Sequence, residues 1–158
     1  MQQEISKILR PTMTEKEIFA KKAASGYIVC FAEQCPKKEQ CLHWKVGQQM
    51  PDTNSFCSCI SPRYPDVATE RCRFFRQSKK VSFAKGMTRI FTDDMPQRVE
   101  KYVRQKLVAR YNRTYFFEYR NGKFLIPPAM QEEIRGLFRE AGWNGEVAFD
   151  GFVEDYDW

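Results

Sequence analysis

Cys30-Phe-Ala-Glu-Gln-Cys35-Pro-Lys-Lys-Glu-Gln-Cys41-Leu-His43-Trp44 is the stretch on which the reading of this 158-residue chain turns. Three thiols fall within it and a fourth follows at Cys72, with Cys57, Cys59 and the single histidine, His43, lying among them. Thiolates are soft, charged donors. Four of them close a tetrahedral shell around a metal ion and can order a segment too polar to fold alone. Residues 30–72 fit that description, since prolines and polar side chains outnumber regularly spaced apolar ones. The stretch therefore predicts a metal-stabilised module, with Cys30, Cys35, Cys41 and Cys72 as the candidate ligands.

The spacing leaves four, five and thirty residues between successive thiols. That is neither the paired Cys-x2-Cys knuckle of a zinc ribbon nor the Cys-x4-Cys-x2-Cys run of a plant-type ferredoxin. Zinc is the expected metal, because a closed thiolate shell needs neither redox partners nor a cluster-shielding pocket. An iron–sulfur cluster stays open, since Phe31, Trp44, Phe74 and Phe75 are at hand to make such a pocket. Cys57, Cys59 and His43 are possible additional ligands. Thiols at i and i+2 share one face of a strand and can share an ion, although small buried cysteines take such positions without one. A histidine beside a tryptophan is more often packed than ligating.

Moving outward, Thr14-Glu-Lys-Glu17 has the form of a capping box that opens a short helix, which Ser25-Gly26 should close. Tyr27 to Val29 reads as extended, and Pro36 suits the first turn of a helix ending near Gly47. Thr53 to Ser61 alternates as a strand. Beyond Cys72, Val81 to Phe91 reads as extended with a break at Gly86. Val99, Val103 and Leu107 recur at helical spacing, which predicts a helix over Met95 to Tyr111 with Asp94 as its cap. Thr114 to Arg120, Asn121-Gly122 and Lys123 to Ile126 predict a hairpin, because Asn-Gly supplies the positive backbone angles of a tight turn. Met130, Ile134, Leu137, Phe138 and Ala141 mark a last helix ending at Gly142, and Val147 to Phe152 an edge strand. Tyr156 and Trp158 read as an aromatic clasp.

The net charge of +6 is unevenly placed. Residues 71–123 hold 15 Lys or Arg against 4 Asp or Glu, whereas from Glu140 onward there are six acidic residues and no basic one. Arg73, Arg76, Lys79, Lys80, Arg98, Lys101 and Arg104 are the candidate nucleic-acid contacts, because such side chains displace counterions from a phosphate backbone. Tyr115, Phe117 and Tyr119 on one strand face would offer stacking platforms. The bland alternative is a solvated helix face above core aromatics. Alternatively the basic face is occupied by the protein's own acidic tail folding back on it, or by an acidic partner protein.

Catalytic signals are thin. One histidine leaves little material for a general base, and neither a nucleophile elbow nor a phosphate-binding glycine loop is present. No run of about 18 apolar residues exists, and the first residues lack the basic-then-apolar order of a secretory signal, so a cytoplasmic, non-membrane protein is expected. A reducing cytosol moves six cysteines away from disulfides and toward metal ligation or simple burial.

Tyr27-Ile-Val-Cys30, Cys35-Pro36, Cys41-Leu42, Pro62-Arg-Tyr-Pro65, Cys72 with Phe75-Arg76, Ala84-Lys-Gly-Met87 and Asp155-Tyr-Asp-Trp158 together resemble an uncharacterised bacterial family known only as a domain of unknown function, over roughly residues 26–158. The resemblance implies the same four-cysteine set, excludes Cys57 and Cys59 from it, and brings no activity. The fold expected is α+β: an N-terminal helical segment over 1–25, a cysteine-rich module over 26–80, and a helix–hairpin–helix unit with a C-terminal strand over 81–158, the module packed on that unit. The function expected is that of a non-enzymatic, zinc-stabilised binding protein, nucleic-acid-associated or regulatory. The alternatives are a protein-interaction adaptor and an iron–sulfur or thiol redox protein.

Overall fold

The structure, a computed structural model, describes residues 13–158. It is mixed α and β, and the chain divides into two compact units, one running up to Ser78 and including Trp158, the other spanning Lys79–Asp157.

In the first unit the expected capping box forms. The Glu17 amide donates to Thr14 Oγ1 and the Thr14 amide to Glu17 Oε2, opening α1 over Glu15–Ala24. These bonds satisfy amide donors that a helix start otherwise leaves open. Phe19 and Ala23 bury the inner face of α1, and the Trp158 ring meets Phe19 edge-on at 6.1 Å and Tyr27 at 5.6 Å. The Lys22 ammonium lies 4.6 Å from the centre of the Trp158 ring. Trp158 thus packs half-buried on the aromatic rings of this unit, whereas Tyr156, the other residue of the expected clasp, falls in the other unit.

Two expectations in this unit need correction. The single helix from Pro36 to Gly47 is broken. A 3-10 turn over Lys38–Gln40 stops at Cys41, which is extended (φ −102°, ψ 125°), and α2 runs only over Leu42–Gly47. The cause is long-range pairing: the Leu42 amide donates to the Arg76 carbonyl at 2.7 Å and the Ser78 amide to the Gln40 carbonyl at 2.8 Å. The strand over Thr53 to Ser61 shrinks to one bridge, Cys59 beside Val29, and Asn54 turns back onto Pro51.

The second unit is built on a three-stranded antiparallel sheet in the order β2-β1-β3, with β1 at Lys80–Lys85, β2 at Leu125–Ile126 and β3 at Phe152–Tyr156. Lys80 pairs with Tyr156 and Ala84 with both Phe152 and Ile126. The last strand lies further along the chain than Val147 to Phe152. Gly86 (φ +84°) follows β1, and a Cβ there would stand 2.5 Å from Asp150 Oδ2, so glycine makes room for that carboxylate. Helix α4, Pro128–Glu140, turns Met130, Ile134 and Phe138 inward as its spacing predicts, and Gly142 closes it. Gln131 is buried beside them but satisfied, since its Nε2 donates to the Ser82 and Ile126 carbonyls and ties α4 to β1 and β2.

The expected hairpin is absent. Residues 113–120 are helical and continue α3, Gln97–Arg120, past a break at Asn112 (φ 59°, ψ 169°). Pro96, two residues after Asp94, precedes the first turn. At the break, Asn112 Oδ1 accepts the Tyr115 amide at 3.0 Å and restarts the helix as an N-cap does. At the far end Gly122 (φ +72°) lets its own amide reach the Tyr119 carbonyl and the Lys123 amide reach Glu118, the Schellman closure of a helix. The Asn-Gly dipeptide supplies its positive angle to a helix end instead of a hairpin. Phe116 is thereby buried with Val99, Val103 and Leu107 against Ile126, Ile134 and Phe138. Tyr111 donates to Glu133 at 2.8 Å and joins α3 to α4; burial first, then that carboxylate, push its phenol up to about 12.

Candidate metal centre

The break at Cys41 puts the third cysteine where a continuous helix would not. Cys41 is buried, its backbone bridged to Gln77, five residues beyond Cys72. Cys30 is held from the other side, its amide donating to the His43 carbonyl at 3.0 Å. Cys35 closes a turn onto Ala32 and accepts the Lys38 amide, and Cys72 turns onto Thr69. Four separate backbone devices therefore bring Cys30, Cys35, Cys41 and Cys72 to the wall of one small cavity of about 20 Å³. All four are free thiols. Trp44, Ile60, Val67, Ala68, Phe74 and Phe75 complete most of that wall.

The sulfurs line the cavity without forming a finished shell: among the described residues no group of three or more His, Cys, Asp or Glu side chains is drawn together tightly enough to grip an ion. Burial pushes the Cys30 thiol up, a backbone hydrogen bond from Ala32 opposes it, and Cys41, Cys35 and Cys72 each add to the rise. Ala68, on the same wall, has φ +61°, a left-handed angle that an alanine adopts at a cost of roughly 1–2 kcal/mol. The lining supplies four thiols in a mostly apolar surround, the donor type that a thiophilic ion takes. Among the described residues no carboxylate lines the cavity.

Cys57, Cys59 and His43 lie elsewhere. Both cysteines are exposed, and none of the three lines the cavity. His43 Nδ1 donates to the Ile28 carbonyl at 2.6 Å while its ring stacks on Tyr27 at 5.1 Å, and burial holds its pKa below the usual histidine value. This imidazole is packed against the fold and lies outside the cavity lining. Lys37 and Lys38, which do line the cavity, are not among the site residues that the sequence suggested.

The basic residues fall in both units: Arg73 and Arg76 in the first, Lys79, Lys80, Arg98, Lys101 and Arg104 in the second. Arg73 pairs with Asp66 at 2.9 Å and Arg104 with Glu100, whereas Arg98 and Lys101 are exposed on α3. The proposed stacking row Tyr115, Phe117 and Tyr119 is on a helix, so these rings do not share a strand face. The acidic tail folds back within its unit. Asp150 accepts from the Thr88 amide and hydroxyl and the Arg89 amide, and lies 3.5 Å from Arg89 Nε, while Asp155 and Glu154 pair in register with Val81 and Ser82. Those amide and hydroxyl bonds, with Arg89, hold the Asp150 carboxyl below its usual pKa against the opposing pull of burial. Among the described residues no helix is long and apolar enough to cross a membrane.

Over residues 13–158 the chain matches a family described as a family of unknown function (DUF6078), and it belongs to that family. The match begins earlier than the residues that carried the resemblance. No curated protein and no solved structure matches the chain.

Proposed function

We propose that this member of a family of unknown function is a non-enzymatic binding protein whose first unit is stabilised by one zinc ion held by Cys30, Cys35, Cys41 and Cys72. The observation that carries the reading is their convergence, from points up to 42 residues apart in sequence, on one apolar cavity. Zinc is favoured because four thiolates satisfy its tetrahedral preference completely and leave no open position for chemistry, the mark of a structural site. Purified protein is expected to carry one zinc per chain. Replacing any of the four cysteines by Ser should lower that content, while Cys57→Ser and Cys59→Ser leave it unchanged. Protein free of stoichiometric metal, or brown with iron and sulfide, would overturn the assignment.

The partner of the second unit is a separate question. Exposed Arg98 and Lys101 on α3 support an anionic partner, nucleic acid being the first candidate. The tail supports the alternative, an adaptor whose basic segment is partly neutralised from within, since Asp150 already engages Arg89. Binding to a random single-stranded oligonucleotide, measured across salt concentrations, separates the two. A nucleic-acid role predicts a steep salt slope that becomes shallower by about one to two units in a Lys101→Gln, Arg98→Gln variant. An equal slope in the variant would remove these residues from the interface.

A further inference from the structure

Lys37 and Lys38 cannot ligate a metal as ammonium groups, yet both line the four-cysteine cavity. Lys37 Nζ donates to the Glu70 carbonyl, lies 3.6 Å from the Glu70 carboxylate and sits 5.0 Å from the centre of the Phe75 ring. Lys38 Nζ donates to the Glu33 carbonyl at 2.9 Å and sits 5.2 Å from the centre of the Trp44 ring. Glu70 stands two residues before Cys72, and Glu33 two residues before Cys35. The dipeptide leading into Cys41 thus fastens the loops that carry two other cysteines, and brings two positive charges to the wall of an otherwise largely apolar pocket.

Four thiolates around one divalent ion carry a net charge of −2. Such a charge is costly in an apolar surround unless it is countered nearby. Two ammonium groups offset that charge, and the Glu70 carboxylate beside Lys37 gives one unit back, so the shell and its surround carry about −1 instead of −2. Size points the same way, because a cavity of about 20 Å³ is close to the space that one water-sized occupant needs. The smallest iron–sulfur cluster brings two irons and two bridging sulfides.

We infer that Lys37 and Lys38 are the counter-cations of a four-thiolate shell, and that the site so built takes a single divalent ion rather than an iron–sulfur cluster. The inference rests on the four-cysteine reading above. The lysines are positioning residues: they act on the metal through the charge and placement of the thiolates.

The test uses the full chain, with zinc affinity read by competition against a chromogenic chelator and ligation read from the charge-transfer bands of the cobalt-substituted protein. The K37Q/K38Q variant is expected to bind zinc about 10–100-fold more weakly, the range seen when outer-shell partners of a metal site are lost. The K37R/K38R variant, which keeps both charges, should recover most of that affinity. The single variants K37Q and K38Q guard against a misfolded double variant, each losing part of the affinity. Wild-type protein that takes up neither zinc nor cobalt would sink the four-cysteine reading itself. If wild type binds one ion and K37Q/K38Q binds it equally tightly, or K37R/K38R binds no better than K37Q/K38Q, the shell stands and the lysine role falls. Iron and sulfide in stoichiometric amounts would overturn the single-ion site.

Discussion

Treating the protein with a strong chelator is expected to strip amide-exchange protection from residues 27–78 while α3, α4 and the sheet of the second unit keep theirs. The reason is the unequal supply of apolar contacts. Ala84, Met87, Ile90, Val99, Val103, Leu107, Phe116, Ile126, Ile134 and Phe138 form one buried cluster in the second unit, with no cysteine among them. The cysteine-bearing segment of the first unit has Val29, Leu42, Trp44, Val46 and Val67, and two of its backbone connections are isolated bridges. On the proposed zinc reading, much of its order would depend on ligation, whose free energy is folding free energy and reaches about 10–16 kcal/mol in zinc-finger peptides. Hydrogen exchange before and after chelation reads both units in one experiment. Uniform protection that chelation leaves untouched would show four ordinary buried thiols and end the metal reading.

The second large effect lies in the other unit. Phe138 is fully buried on α4, its ring 5.8 Å from Phe91. Phe138→Ala should destabilise the second unit by about 3–5 kcal/mol, the transfer and cavity cost of removing a buried aromatic ring. A unit of this size has a total stability on the order of 4–12 kcal/mol, so the variant should be near unfolding there while its metal content stays at the wild-type level. Denaturant unfolding and metal analysis of the same sample check the two halves of this statement. Loss of metal in Phe138→Ala would mean that the units do not fold independently.

What could be read from the sequence was what local chemistry decides. Thr14 and Glu17 cap α1 through bonds only three residues long, and Met130, Ile134 and Phe138 bury one face of α4 because helical spacing puts them there. Where the reading failed, distant partners or ambiguous local signals decided. The run Tyr115-Phe116-Phe117 favours a strand on propensity, but Asn112 as an internal cap, Gly122 as a helix terminator and the burial of Phe116 hold it helical. Asn-Gly serves a hairpin turn and a helix end equally well, since both need a positive φ. The break at Cys41 depends on residues 76–78, some thirty-five positions away, so no local pattern announces it. The four cysteines could be proposed as a set from their clustering and the family resemblance, whereas the lysines that line the same cavity acquire meaning only from the fold.

Trp158 packs on Phe19 and Tyr27 and so belongs to the first unit, although it follows the whole of the second in the chain. On the ribosome, segments usually fold in the order they emerge. Here the unit that emerges first cannot complete its core until every residue of the other has been made. Of the two units, the one earlier in the chain is therefore completed after the other, and a nascent chain stalled short of Trp158 would present Phe19 and Tyr27 without the indole that packs on them to whatever chaperone or protease meets it.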